Sequence, residues 1–129
     1  MQTTFERPFK PVELTPATIE AFDMQALARQ LRLEKPFVEH GRNGLTLARD
    51  DRLTIVLTVA KEGKMLLEPR PPGPVAIVML SGSVTLTTEG SVQQISLGPG
   101  MSAAFSPDIV DHIEVHTESA FLIVIGGRQ

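Results

Sequence analysis

Cysteine is absent from the 129-residue chain, which removes disulfides, thiolate metal sites and thiol nucleophiles together. Trp and Tyr are absent too, and six Phe are the whole aromatic complement. Stacking platforms for bases or sugars therefore have only Phe and His to draw on. No block of like charge occurs, with 12 Lys and Arg against 15 Asp and Glu and a formal net charge of −3. That balance argues against a nucleic-acid or anionic-membrane surface. Apolar runs stay short of the roughly 18 residues that a bilayer-spanning helix needs. The opening MQTTFERPFKP has no signal-peptide core. The expected setting is cytoplasmic, with neither nucleic acid nor membrane as partner. What remains is ordinary globular composition, 42% hydrophobic and 21% charged. A chain of this length is expected to form one domain and to bury about two thirds of its unfolded surface.

Residues 1–36 read as an N-terminal arm and short helix belonging to the same domain as residues 37–129. Met1 to Glu13 is polar, carries no sustained period and reads as an extended arm, suited to lie as a strand on a neighbour. Asp23 is placed to cap a helix, because its carboxylate can accept from backbone N–H groups two or three residues on. Phe22 and Leu27 flank that cap with the spacing of a hydrophobic staple. Met24, Leu27, Ala28 and Leu31 then share one face, the pattern of a helix packed on a core. Pro36 is expected to end the segment.

Beyond residue 37 the texture changes to short β-type runs divided by Gly, Pro and Asp. Leu53, Ile55, Leu57 and Val59 alternate with Thr54 and Thr58, while Val75 to Leu80 is continuously apolar, as in a strand buried on both faces. Ser81-Gly82, Glu89-Gly90 and Gly98-Pro99-Gly100 supply turns, and His40 falls in a turn-rich, solvated stretch. About eight strands at near-regular spacing indicate a sandwich or a closed barrel.

Two stretches go further. Val75-Ala76-Ile77-Val78-Met79-Leu80-Ser81-Gly82-Ser83-Val84 resembles the strand–Gly turn–strand of the first cupin motif. Leu97-Gly98-Pro99-Gly100-Met101, followed by Ser106-Pro107 and His112, resembles the second. The region from Gly63 to Ile125 is thus similar to the cupin family, of the small RmlC-like type. The resemblance implies an all-β double-stranded β-helix, a jelly-roll-like barrel, often dimeric, with a ligand or metal pocket in its mouth.

The family's metal set implies two His and one Glu from the first motif and one His from the second. Here the glutamate position falls on Val75. The histidine positions fall on Pro69 and Pro71 in one spacing, or on Glu68 and Arg70 in the other. Only His112 matches, and His116 stands where the motif closes with Asn. The expectation is therefore no cofactor, the alternative being a divalent transition metal at His112 serving an oxygenase or isomerase.

Strand alternation puts Val110, His112, Glu114 and His116 on one face. With Val75, Ile77, Met79 and Phe105 inside, the lumen is mainly apolar. Four prolines within Glu68 to Pro74 stiffen the backbone beside Arg70, whose guanidinium suits a carboxylate or phosphate. The expected function is binding of a small organic molecule in the barrel, with His112 and Arg70 as polar anchors and Glu68 beside them. No catalytic residues are assigned: neither a Ser-His-Asp order nor a phosphate-cradling loop occurs, and Gly41-Arg42-Asn43-Gly44 is too weak a signal for one. A homodimer is expected through the apolar runs Val75 to Leu80 and Ala120 to Ile125; a barrel serving only as a dimeric scaffold is the remaining alternative.

Overall fold

The computed structural model describes residues 12–67 and 71–127. Asp23 opens helix α1 (Met24–Leu33), its Oδ1 accepting from the Ala26 N–H at 3.0 Å. The helix buries Ala28 and Leu31, the inner part of the expected apolar stripe. It stops at Glu34, which is extended, rather than at Pro36. Pro36 instead lies in the first turn of a second helix, α2 (Lys35–His40), where a missing N–H costs nothing because first-turn donors have no helical acceptor. Gly41 closes α2 in the left-handed conformation, φ 80°. His40 is thus a helix residue, though an exposed one.

Ten strands follow the expected β texture: β1 (Val12–Glu13), β2 (Arg42–Arg49), β3 (Leu53–Ala60), β4 (Gly63–Met65), β5 (Val75–Ser81), β6 (Val84–Thr88), β7 (Gln94–Leu97), β8 (Ser102–Phe105), β9 (Val110–Val115) and β10 (Ser119–Gly126). They form a six-stranded sheet in the order β1-β2-β3-β10-β5-β8 and a four-stranded sheet in the order β4-β9-β6-β7. β1, the described end of the arm, pairs in parallel with β2 of the same chain; the rest of the arm lies outside the described residues. Gly82 turns β5 into β6 at φ 83°, and a Cβ there would sit 2.6 Å from the Glu118 carbonyl oxygen, so both backbone and space demand glycine.

The core has two layers. Between the sheets, Val75, Ile77, Met79, Val84, Leu86, Leu97, Ile113, Val115, Phe121 and Ile123 interlock. Outside the larger sheet, Leu45, Leu47, Leu57, Val59 and Ala120 pack under Ala28, Leu31 and Phe37 of the helices. Each fully buried Leu, Ile or Phe contributes roughly 1.5–3 kcal/mol of transfer free energy. This second layer decides how β3 lies. Its Leu57 and Val59 face the helices, so alternation turns Thr54, Val56, Thr58 and Ala60 toward the space between the sheets.

The cluster under the helices takes in β2, β3 and Ala120 and Leu122 of β10, and no residue of β5. β5 is therefore not buried on both faces as its apolar run suggests: Val75, Ile77 and Met79 are core, Ala76 and Val78 are half-buried, and Leu80 is 38% exposed.

Candidate functional site

The residues expected to line the lumen are packed against one another. Val75, Ile77 and Met79 are 2%, 0% and 1% exposed, inside the cluster that includes Leu86, Ile113 and Phe121. Phe105 pairs with Val75 and is half-buried against the same cluster. Arg70 and Glu68 lie outside the described residues, so the proline-flanked clamp does too.

His112 turns the other way from the lumen. In the β6–β9 ladder Thr88 pairs with Val110 but Thr87 pairs with His112, leaving Asp111 as a bulged extra residue. One extra residue inverts the alternation, so Val110 and His112 do not share a face. Ile113 and Val115 enter the core, and alternation sends His112 and Glu114 to the opposite face of the sheet. There His112 Nδ1 lies 3.0 Å from Asp111 Oδ2. On that outer face His116 Nε2 and Thr85 Oγ1 are 2.6 Å apart, and Thr85 Oγ1 and Ser96 Oγ 3.0 Å apart. His112 is therefore not brought together with Val75, Ile77 and Met79.

A different place is open. Among the described residues a cleft of about 850 Å³ lies where β2 and β3 of one sheet approach β4 of the other, lined by Pro36, Arg42, Asn43, Gly44, Thr58, Lys64, Met65 and Leu66. Register explains its composition. Arg42 pairs with Ala60 and Gly44 with Thr58, and Ala60 belongs to the core between the sheets. Arg42, Gly44 and Thr58 thus share the inward face, with two strand steps, roughly 6.6–6.8 Å, between successive rows.

Each lining residue has a distinct part. Gly44 leaves room, since among the described residues a Cβ there would meet nothing nearer than 3.7 Å, and its φ is not in the left-handed region. Thr58 is 6% exposed, borders the cleft, and its hydroxyl has no hydrogen-bond partner among the described residues. The hydroxyl keeps accessible surface toward the cleft, so Thr58 presents a donor and acceptor to whatever enters. Asn43 is the scaffold: its Nδ2 donates to the Leu31 carbonyl at 3.1 Å and to Glu34 Oε1 at 2.9 Å, while its Oδ1 accepts from the Gly44 N–H at 2.9 Å. That ties the end of α1 to the floor of the cleft. Met65, Leu66 and Pro36 supply an apolar wall.

Arg42, Gly44, Thr58 and Lys64 escaped the reading of the sequence. The signal was faint but present: threonines at alternate positions of β3 mark a face unlike the Leu57–Val59 face, without saying which of the two is inside.

The architecture can be placed among solved proteins. It superposes on a cupin superfamily protein from Desulfitobacterium hafniense with a TM-score of 0.60 at 21% identity, covering 69% of this chain and 80% of that one. An RmlC-like cupin protein from Desulfovibrio desulfuricans gives a TM-score of 0.65 at 14% identity, over 84% of this chain and 97% of its own. The chain has a cupin fold. A cupin-2 domain protein from Shewanella frigidimarina is similar as well, with a TM-score of 0.55, 12% identity and coverage of 65% and 79%. No protein-family model matches the chain, and no curated protein does. At these identities the likeness speaks of the cupin fold alone.

The cupin metal set does not fit the residues present. Val75, at the carboxylate position, is hydrocarbon and 2% exposed; Pro71 offers no donor; His112 lies on the outer face. Among the described residues no three or more His, Asp or Glu side chains group to hold a metal ion. Nor does any helix among them have the length and apolarity to cross a membrane.

Proposed function

We propose that this cupin binds a small organic molecule, with no resident metal, in the cleft between β2, β3 and β4. The observation that carries the reading is the open space of about 850 Å³ itself, with the Thr58 hydroxyl, which bonds no other described residue, on its wall. Small-molecule sites fall at about 300–1,000 Å³ and combine apolar walls with a few placed polar groups. Met65, Leu66 and Pro36 supply the walls here, and Arg42 and Thr58 the polar groups, with Lys64 at the rim.

Gly44→Leu tests the reading. The new side chain fits the backbone and projects into the cleft beside Thr58. Wild-type protein screened by thermal shift against a small-molecule library should be stabilised by its ligands, by about 2.7 kcal/mol at a hundred times Kd. The variant should fold and lose that stabilisation. Full retention of every ligand's shift in Gly44→Leu would move the site elsewhere.

The same sheet favours a second reading, that the protein pairs with another copy of itself. Ala76, Val78 and Val124 are half-buried and Leu80 is 38% exposed on the outer side of β5 and β10, next to Leu122, which packs against the cluster under the helices. Register sets Leu122 beside Val78 and Val124 beside Ala76, making one continuous apolar strip. A two-fold contact would cover it on both copies at once. Sedimentation should show a dimer that Val78→Asp converts to a folded monomer; a wild-type monomer at micromolar concentration would end this reading.

A further inference from the structure

We infer that the ligand of this cleft is an organic oxyanion, a carboxylate or a phosphate ester on a small apolar body, with Arg42 as its principal anchor. The inference rests on the cleft reading and adds the chemical class. Among the described lining residues Arg42 and Lys64 are cationic and none is acidic, and Arg42 is the one on an inward face. That local excess runs against a chain whose formal charge is −3. Arg42 lies on the inward face of β2, one row from Gly44 and Thr58. Neither Arg42 nor Lys64 has an ion-pair partner among the described residues.

The nearby acids do not remove this charge. Glu34, which touches the lining residue Asn43, already accepts from Asn43 and from Gln30 Nε2 at 3.1 Å. Glu114 sits across the ladder from Lys64 on the outer face of the smaller sheet, opposite the core residue Ile113 that pairs with Met65, so the Lys64 side chain starts from the outer side and is the lesser anchor. A guanidinium offers two parallel donors to a planar or tetrahedral oxyanion. The Thr58 hydroxyl, a row deeper, is a third donor for the same head group. Met65, Leu66 and Pro36 then meet the rest of the molecule.

The experiment is an amide NMR titration of the full chain with hexanoate, hexyl phosphate and the neutral analogue hexanamide. Both anions should shift the Gly44 and Thr58 amides, and the tighter of the two assigns the head group. Hexanamide should bind at least tenfold more weakly. Arg42→Gln, a substitution at an exposed side chain, should keep the native spectrum and lower anion affinity at least tenfold, and Lys64→Gln severalfold less. Equal binding of hexanamide and hexanoate at Gly44 and Thr58, unchanged by Arg42→Gln, would overturn the anion assignment and leave the cleft as a neutral-ligand site. Silence of these amides toward all three probes would overturn both readings.

Discussion

On the β5–β10 side of the barrel, Val75, Ile77, Met79, Phe121 and Ile123 meet Leu86, Ile113 and Val115 of the facing sheet, and all are less than 9% exposed. On the β2–β4 side, Arg42, Gly44 and Thr58 project from the same inward face of the same sheet and border a cleft. The backbone architecture is continuous from one side to the other. What changes is side-chain volume and polarity. Large branched hydrocarbons close the space at native packing density; a glycine, a threonine and a long cation leave it open. In this barrel Val75, Ile77 and Met79 are core, and the open space lies toward an edge of the sheets.

Substitutions on each side should separate these roles, beginning with the most costly. Phe121→Ala removes a ring with no exposed area from the packed side. It should cost about 3–5 kcal/mol in urea unfolding, the range for large-to-small changes with a residual cavity. A loss below about 1 kcal/mol would mean that this side is loosely filled and the contrast misplaced.

Asn43→Ala strikes the junction between the two sides. The Leu31 carbonyl, Glu34 and the Gly44 N–H each lose a partner, and leaving such groups unmet should cost about 1–3 kcal/mol. Because Asn43 also steadies the floor of the cleft, ligand affinity should fall with stability; intact affinity in this variant would detach Asn43 from the site.

A smaller change is expected from His112→Ala. The imidazole contacts Asp111 on the outer face, where the two side chains are 15% and 53% exposed, and partly exposed pairs contribute at most about 1 kcal/mol. Binding in the cleft should be unaltered, as titration of the variant would show. A tenfold loss of affinity would restore His112 to the site.

Thr58→Val should be close to neutral for stability, within about 0.5 kcal/mol, since it replaces an unpartnered hydroxyl by a methyl group of similar shape. Its effect should be on binding alone, weakening an oxyanion severalfold in calorimetry. A marked loss of stability without a loss of binding would show that the hydroxyl serves the fold.

Much of this molecule was legible in the chain before any coordinates. Helix α1 follows from Asp23 and the Met24–Leu31 stripe because capping and amphipathic spacing are local properties. The turn at Gly82 is equally local, being a matter of positive φ and of room for a Cβ. The cupin fold could be read from motif spacing, and so could the departure from its ligand set, since Val75 and Pro71 lack donor atoms in any conformation.

Tertiary structure alone decided which way things face. Alternation divides β3 into a Leu57–Val59 face and a Thr54–Thr58 face, yet either could be inside until another layer competes for the more apolar one. Here α1 and α2 take that face, and Thr58 is left to the interior. The bulge at Asp111 is likewise invisible locally, because it exists only as a register with β6; one residue of slip exchanges inward for outward. The cleft is the third such case. Sequence supplies Arg42, Gly44, Thr58 and Lys64 on three separate strands, and only the approach of two sheets brings them to one space.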